Sequence, residues 1–246
     1  MNELRRLSDF QEILNNYHVS ESTRRALIKT RLVLMCGVTS SGRNTIIGEL
    51  MKIGDYYFIT SDTTRKPRIN MGNVEKNGEE YWFKSEDEFI DGLRKGEYVE
   101  AAIIHDQQVS GISIKEIEHA SKQHEIAITD IEPAGVESII KIKPDTKCIF
   151  MIPPSFETWL KRIDLRGRMT EIELIRRLKS AVKEINHALN NDHFIIIVNN
   201  EFHETAEMVK NIFTNIPDQT SARVVAKNLL KQTQDYLNEN DTSSSK

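Results

Sequence analysis

Leu4, Leu7, Phe10, Ile13, Leu14 and Tyr17 recur at intervals of three and four, the period of one apolar helix face, and predict a helical extension over residues 1–30. From residue 32 the pattern changes to short apolar runs: Leu32 to Cys36, Tyr56 to Thr60, Ile126 to Asp130, Lys147 to Ile152 and Phe194 to Val198. Each is nearly all apolar, as suits a strand covered on both faces. Helical stretches separate most of them. Ser85 with Glu88, Ser113 with Glu116 and Thr170 with Glu173 have the spacing of a capping box, in which a hydroxyl and a glutamate satisfy backbone donors left free by the first helical turn.

Strand alternating with helix predicts an α/β fold with a mainly parallel sheet, right-handed crossovers and ligands at the carboxyl ends of the strands. Residues 61–112 break the alternation. Tyr81 to Phe83 and Tyr98 to Ile104 are strand candidates around a helix at 86–95, which reads as an inserted α+β lobe. After Phe213 the chain turns polar, so 214–246 is read as a C-terminal helix followed by a tail that is loose over 238–246, too polar to order itself.

Composition narrows the class further. The 246 residues are 39% hydrophobic and 28% charged, enough for a core and one large domain with extensions. With only 11 Gly and 6 Pro, long regular elements fit better than a turn-rich sandwich. A formal charge of −4 is unlike that of a protein that coats DNA or RNA, so any anion site is local. No apolar stretch could span a bilayer and the N-terminus lacks a signal-peptide core, which predicts a soluble, cytoplasmic protein with no membrane contact. Cys36 and Cys148 lie inside apolar runs and read as buried free thiols.

Within Arg31-Leu-Val-Leu-Met-Cys-Gly-Val-Thr-Ser-Ser-Gly-Arg-Asn-Thr, Gly37 and Gly42 join a buried strand to a helix, spaced like the glycines of a phosphate-binding loop. In such a loop, backbone N–H groups converge on an anion and the next helix presents its positive end. Gly37, Ser40, Ser41, Gly42, Arg43, Asn44 and Thr45 are therefore candidates to hold the phosphate tail of a nucleoside triphosphate. Arg43 stands where the motif has Lys and Asn44 where it has Ser or Thr. An arginine keeps the charge and can fork two oxygens. Asn44 or Thr45, through water, is the candidate Mg²⁺ contact. Taken alone, the segment is equally well an ordinary strand–helix turn.

The rest of the chain is more specific. Ser61-Asp-Thr-Thr-Arg-Lys-Pro-Arg68, Asn77-Gly-Glu-Glu-Tyr-Trp-Phe83, Glu97-Tyr-Val-Glu100, Asp130-Ile-Glu132, Pro153-Pro-Ser155, Arg166-Gly-Arg168, Arg177-Leu and Val198-Asn-Asn200 resemble, in order, the motifs of guanylate kinases over residues 31–213. The resemblance implies a P-loop nucleoside monophosphate kinase core with an NMP-binding lobe at about 61–112 and a helical lid at about 161–179. It also implies transfer of the terminal phosphoryl group of ATP to GMP or dGMP, with Mg²⁺.

Several residues agree chemically with that assignment. Arg65 and Arg68, three apart beside Pro67, suit a bidentate grip on a monophosphate, and by resemblance they bind that of GMP with the Tyr81 hydroxyl. A carboxylate can accept from guanine N1–H and N2–H, which makes Glu100, matching the family's guanine-reading glutamate, the candidate for base selectivity, beside Ser61. Asp130 and Glu132 share a face at a strand end; in the family such acids order the magnesium shell and the acceptor nucleotide. Residues 161–179 carry seven basic against three acidic side chains, charge that can stabilise a transferring phosphoryl group. Arg166 or Arg168, and Arg177, are the lid arginines by resemblance; Asn199 matches a segment near the adenine.

The chain also departs from the family. The segment between Arg68 and Tyr81 is longer, with Glu75 as the counterpart of the loop glutamate and a candidate GMP contact, and Val109 and Ser110 stand where the family has its second phosphate-binding tyrosine, leaving Ser110 as the candidate GMP contact there. A non-catalytic nucleotide- or peptide-binding module is the alternative reading, and a kinase of another monophosphate a third. The N-terminal helix is the candidate surface for a protein partner.

Overall fold

A computed structural model describes residues 4–53, 55–70, 73–104, 106–123, 126–165, 167 and 169–241. In chain order the elements begin with α1 (Leu7–Asn15), α2 (Glu21–Lys29), β1 (Leu32–Gly37), α3 (Arg43–Ile53), β2 (Tyr56–Phe58), β3 (Asp62–Thr63), β4 (Ile69–Asn70), β5 (Asn73–Val74) and β6 (Trp82–Phe83). They continue with α4 (Glu86–Arg94), β7 (Tyr98–Ile104), β8 (Gln108–Ser113), α5 (Ile114–Gln123), β9 (Ile126–Asp130), α6 (Pro133–Ile142) and β10 (Lys147–Ile152). The last are α7 (Phe156–Leu165), α8 (Glu171–Leu189), β11 (Phe194–Val198), α9 (Phe202–Lys210) and α10 (Gln219–Asp241). These elements form two compact units.

The first unit holds Met1–Leu32, Asp55–Thr129 and Ala134–Thr146. In it β2 runs parallel to β9, with Tyr56 opposite Ile126. A separate four-stranded sheet has the order β6-β3-β8-β7, antiparallel except for the β3–β6 pair. Ser85 and Glu88 close the expected capping box at the start of α4. This aims Phe89, Ile90 and Leu93 into a cluster with Leu4, Phe10, Tyr98 and Val109. The Phe89 ring stacks on Tyr98 at 4.3 Å, and Phe10 meets Phe89 edge-on at 6.1 Å. Such aromatic pairs add about 0.5–1.5 kcal/mol beyond the area they bury. The N-terminal extension consists of α1 and α2, and α1 packs on α4 and β7. The backbone N–H groups of Arg5 and Arg6 also donate to the Glu86 carboxylate. β8 carries too much Gln, Ser and Gly to register as an apolar run, and its pairing with β7 makes it a strand.

The second unit holds Val33–Gly54, Asp130–Pro133 and Lys147–Lys246. Its strands β11-β10-β1 are parallel, with Val33 opposite Lys147 and Cys148 opposite Phe194. Every residue of β1 is buried, as its unbroken apolar run requires. Cys36 and Cys148 are buried free thiols, and burial pushes the Cys36 thiol well up. Leu178, Ala181, Ile185 and Ala188 form the buried face of α8, against which α10 packs.

The C-terminal segment corrects one expectation, because α10 runs to Asp241, past the start of the tail expected to be loose from 238. Ala222, Ala226, Leu229, Thr233 and Leu237 keep one buried face at helical spacing despite the polar composition, and the Tyr236 ring lies 5.5 Å from that of Phe156. Residues 242–246 lie outside the described residues. None of the described helices is long and apolar enough to cross a membrane.

Candidate functional site

In the second unit, the turn after β1 has the backbone that a phosphate cradle needs. Gly37 has φ of 146°, and a Cβ there would stand 2.2 Å from the Met151 carbonyl oxygen. Gly42 has φ of 97°, and its Cβ would meet the Asn199 amide at 2.3 Å. Ser40 takes φ of 56°, a left-handed conformation that costs a non-glycine residue about 1 kcal/mol or more and persists where its surroundings impose it. Left-handed residues within a turn are how successive N–H groups converge on one point. α3 starts at Arg43, so the donors of its first turn open on the same place.

That turn borders a cleft of about 530 Å³ lined by Val38, Ser40 to Thr45, Asp130, Arg162, Leu165 and Asn199 to Phe202. Asn44 and Thr45 are exposed. Arg43 Nε lies 2.8 Å from Asp130 Oδ1. Asn199 is buried and donates from Nδ2 to the Ser41 carbonyl at 2.8 Å, fastening the loop to the end of β11. Its Oδ1 and the Ser41 hydroxyl have no hydrogen-bond partner among the described residues.

Arg177 is anchored from two sides: Nε donates to Glu173 at 2.7 Å and a terminal nitrogen to the Thr39 hydroxyl at 2.9 Å. Thr170 accepts from the Glu173 N–H, but the Glu173 carboxylate turns to Arg176 and Arg177, which hold it down at about 2. Arg162 donates to the Asn200 carbonyl at 3.3 Å, and burial lowers its pKa. Arg166 and Arg168, the other two lid candidates, lie outside the described residues.

Sequence reasoning missed Thr39, which receives Arg177 and whose carbonyl accepts the Trp159 indole N–H at 2.7 Å. It also missed Glu184, whose carboxyl is raised by burial and by the charge of Glu132 while Arg43 opposes the shift. Neither carries a motif of its own. The spacing of Glu184 from Arg177, seven residues along a helix, is the signal that places both on one side of α8.

In the first unit, Arg65 donates from both terminal nitrogens to the two oxygens of Glu75, with side-chain exposures of 10% and 6%. Its guanidinium lies 4.6 Å from the centroid of Tyr81, so Arg65, Glu75 and Tyr81 are together. Glu75 also accepts from the Arg68 backbone N–H at 2.9 Å, whereas the Arg68 side chain is exposed. Glu75, a candidate GMP contact by sequence, has its buried carboxylate bound to the Arg65 guanidinium and to backbone.

Glu100 is half-buried, and loss of water pushes its carboxyl up to about 7. The Ser61 carbonyl accepts from the Trp82 N–H at 2.9 Å. Ser110 hydrogen-bonds the Thr63 hydroxyl at 2.9 Å, deep in the β3–β8 pair. Glu116, expected to cap α5, accepts from the Tyr57 hydroxyl, the Thr60 N–H and the Trp82 indole, each at 2.9 Å. The described residues contain no group of three or more His, Cys, Asp or Glu that could hold a metal ion.

Residues 29–216 match the family model described as guanylate kinase. The guanylate kinase of Clostridium tetani is 31% identical over 186 residues, covering 76% of this chain and 86% of its own. That of Helicobacter pylori is 32% identical over 209 residues, covering 85% and 96%. Among solved structures, the guanylate kinase from Anaplasma phagocytophilum aligns with a TM-score of 0.56 at 25% identity, covering 75% of this chain and 84% of that one.

Proposed function

The chain belongs to the guanylate kinase family, and from that premise we propose that it transfers the terminal phosphoryl group of ATP to GMP, with the residue roles set out below. The observation that carries the reading is the left-handed turn from Gly37 to Gly42 ending at Arg43, paired with Asp130 beside a nucleotide-sized cleft. Donor phosphates sit on the N–H groups of Ser41 to Thr45, and Asn199 marks the adenine side. In the first unit Arg65, Arg68 and Tyr81 hold the acceptor phosphate, with Glu100 and Ser61 at the guanine. Ser110 is withdrawn to Thr63 and contributes little to the phosphate.

In the reaction an acceptor phosphate oxygen forms a bond to the γ-phosphorus, the bond from that phosphorus to the β–γ bridging oxygen breaks, and the electron pair leaves with ADP. Little covalent chemistry is asked of the protein, so catalysis is positioning and charge stabilisation. Arg43 spreads positive charge over the donor oxygens, and Arg177, braced by Thr39 and Glu173, supplies a second guanidinium. Segment 161–179 acts as the lid.

The donor set fits Mg²⁺: exposed oxygens of Asn44 and Thr45, with the carboxylates of Asp130 and Glu132, suit a hard ion that keeps several waters. When bound with ATP it neutralises phosphate charge. Buried free thiols fit a reducing compartment, and the cytoplasm is the site of the reaction. A coupled assay of ADP formation with ATP, Mg²⁺ and each nucleoside monophosphate tests the reading. Turnover with GMP that is lost in Arg43→Ala and Arg65→Ala supports it; GMP binding without turnover in the unaltered protein refutes it.

A further inference from the structure

β7 is an outer strand of its sheet, so one of its edges needs partners other than β8. The ladder is irregular there: Tyr98 pairs with Ser113 but Glu100 with Ile112, leaving Val99 as the extra residue of a bulge. At this bulge Tyr17, two residues past α1, brings in its phenol. The hydroxyl donates to the Tyr98 carbonyl at 2.6 Å and accepts from the Tyr98 N–H at 2.9 Å. One side chain thereby supplies both hydrogen bonds that a neighbouring strand would give Tyr98. The Tyr98 phenol in turn donates to buried Asp62 at 2.8 Å, between Ser61 and the Thr63-Thr64-Arg65 run.

We propose that Tyr17 is a positioning residue for guanine recognition: its hydroxyl fixes the bulge of β7 and so aims Glu100, two residues away. The N-terminal extension is then a working part of the acceptor side. This rests on the reading of Glu100 as the residue that accepts from guanine. α1 and Tyr17 precede residue 29, where the match to the family model begins. Hydrogen bonds weaken steeply as their angle departs from linear, and a carboxylate meeting two N–H groups at once is sensitive to small rotations. Without the phenol oxygen, Tyr98 has to find other partners and the bulge relaxes. Burial pushes the Tyr17 hydroxyl up to about 12, so it stays neutral and both donates and accepts.

The test is steady-state kinetics of full-length Tyr17→Phe with ATP, Mg²⁺ and either GMP or AMP, alongside Glu100→Gln and Phe10→Leu. Tyr17→Phe should raise KM for GMP about tenfold with kcat within about twofold, and lower the preference for GMP over AMP by a similar factor. Phe10→Leu loosens the α1 packing without touching the phenol, and should lower Tm with KM and preference unchanged. If Tyr17→Phe behaves like Phe10→Leu, or is unfolded at the assay temperature, the residue is purely structural and the proposal is overturned. Glu100→Gln separates the two layers. Loss of preference there with preference kept in Tyr17→Phe overturns only the present inference. Preference kept in Glu100→Gln removes the guanine-reading assignment and this proposal with it.

Discussion

Arg43 and Asp130 form an ion pair, Nε to Oδ1 at 2.8 Å, at the edge of the cleft that the loop after β1 borders. A guanidinium has five N–H donors in one plane, so a single carboxylate orients it without saturating it. On the proposed reading an arginine can serve where the motif has lysine, because Asp130 removes the freedom that would let the wider group swing off the donor phosphates. Arg43→Ala should therefore reduce kcat by about 10²–10³, the usual loss when one group stabilising transition-state charge is removed. Asp130→Asn should cost about tenfold, because the amide still accepts one hydrogen bond. Single-turnover rates at saturating ATP measure both. An Arg43→Ala enzyme turning over at the normal rate would refute the assignment.

The pair Arg65–Glu75 is more deeply buried, so its removal reads out in stability as well as in binding. Glu75→Ala leaves an uncompensated buried guanidinium and should destabilise the fold by about 3–5 kcal/mol in urea titrations. A ligand phosphate beside Arg65 would replace part of the missing charge, so the rise in Tm with saturating GMP should be larger in Glu75→Ala than in the unaltered protein. An equal rise in both proteins would detach Arg65 from the acceptor phosphate.

Glu100 gives a pH signature. Its carboxyl titrates at about 7, above the ordinary 4.5, so the folded protein binds a proton there that the unfolded chain releases. Between those values stability conferred by this site falls as pH rises, because the native state holds more protons. Guanine recognition runs the opposite way, since only the carboxylate accepts from two N–H groups. Apparent affinity for GMP should rise about tenfold per unit toward pH 7 and level off above it. The monophosphate itself titrates near 6, so the comparison is with Glu100→Gln, whose profile should lack the step at 7. A step that persists in Glu100→Gln belongs to another group.

Much of this was legible in the sequence because it depends on local pattern. The nearly all-apolar runs Leu32–Cys36, Lys147–Ile152 and Phe194–Val198 became β1, β10 and β11, as suits short apolar runs covered on both faces. Gly37 and Gly42 were legible because only glycine escapes the collisions their Cβ atoms would make. What escaped notice depends on partners distant in sequence. β8 is a strand only beside β7 and β3, and Glu75 holds an arginine ten residues away. The apolar face of α10 hides among polar residues. Tyr17 contributed to a helix period, yet its hydroxyl acts 81 residues further on.

Glu116 illustrates the same limit and carries the last prediction. By spacing it belonged to a capping box with Ser113, but its buried carboxylate accepts from the Tyr57 hydroxyl, the Thr60 N–H and the Trp82 indole. These donors come from the middle of β2, the residue before Ser61 and strand β6, so one side chain ties together the segments that flank the proposed acceptor residues Ser61 and Tyr81. Glu116→Leu keeps the volume but strands three donors at once, and each buried donor left unpaired costs about 1–3 kcal/mol. The variant should unfold at a urea midpoint well below the unaltered protein. Glu116→Gln retains one acceptor oxygen and should lie between the two. Because the network holds Thr60 and Trp82 on either side of Ser61, the folded fraction of Glu116→Gln should also show a raised KM for GMP with KM for ATP unchanged. Equal changes in both constants would mean that the loss is general, and that Glu116 supports the fold without shaping the acceptor side.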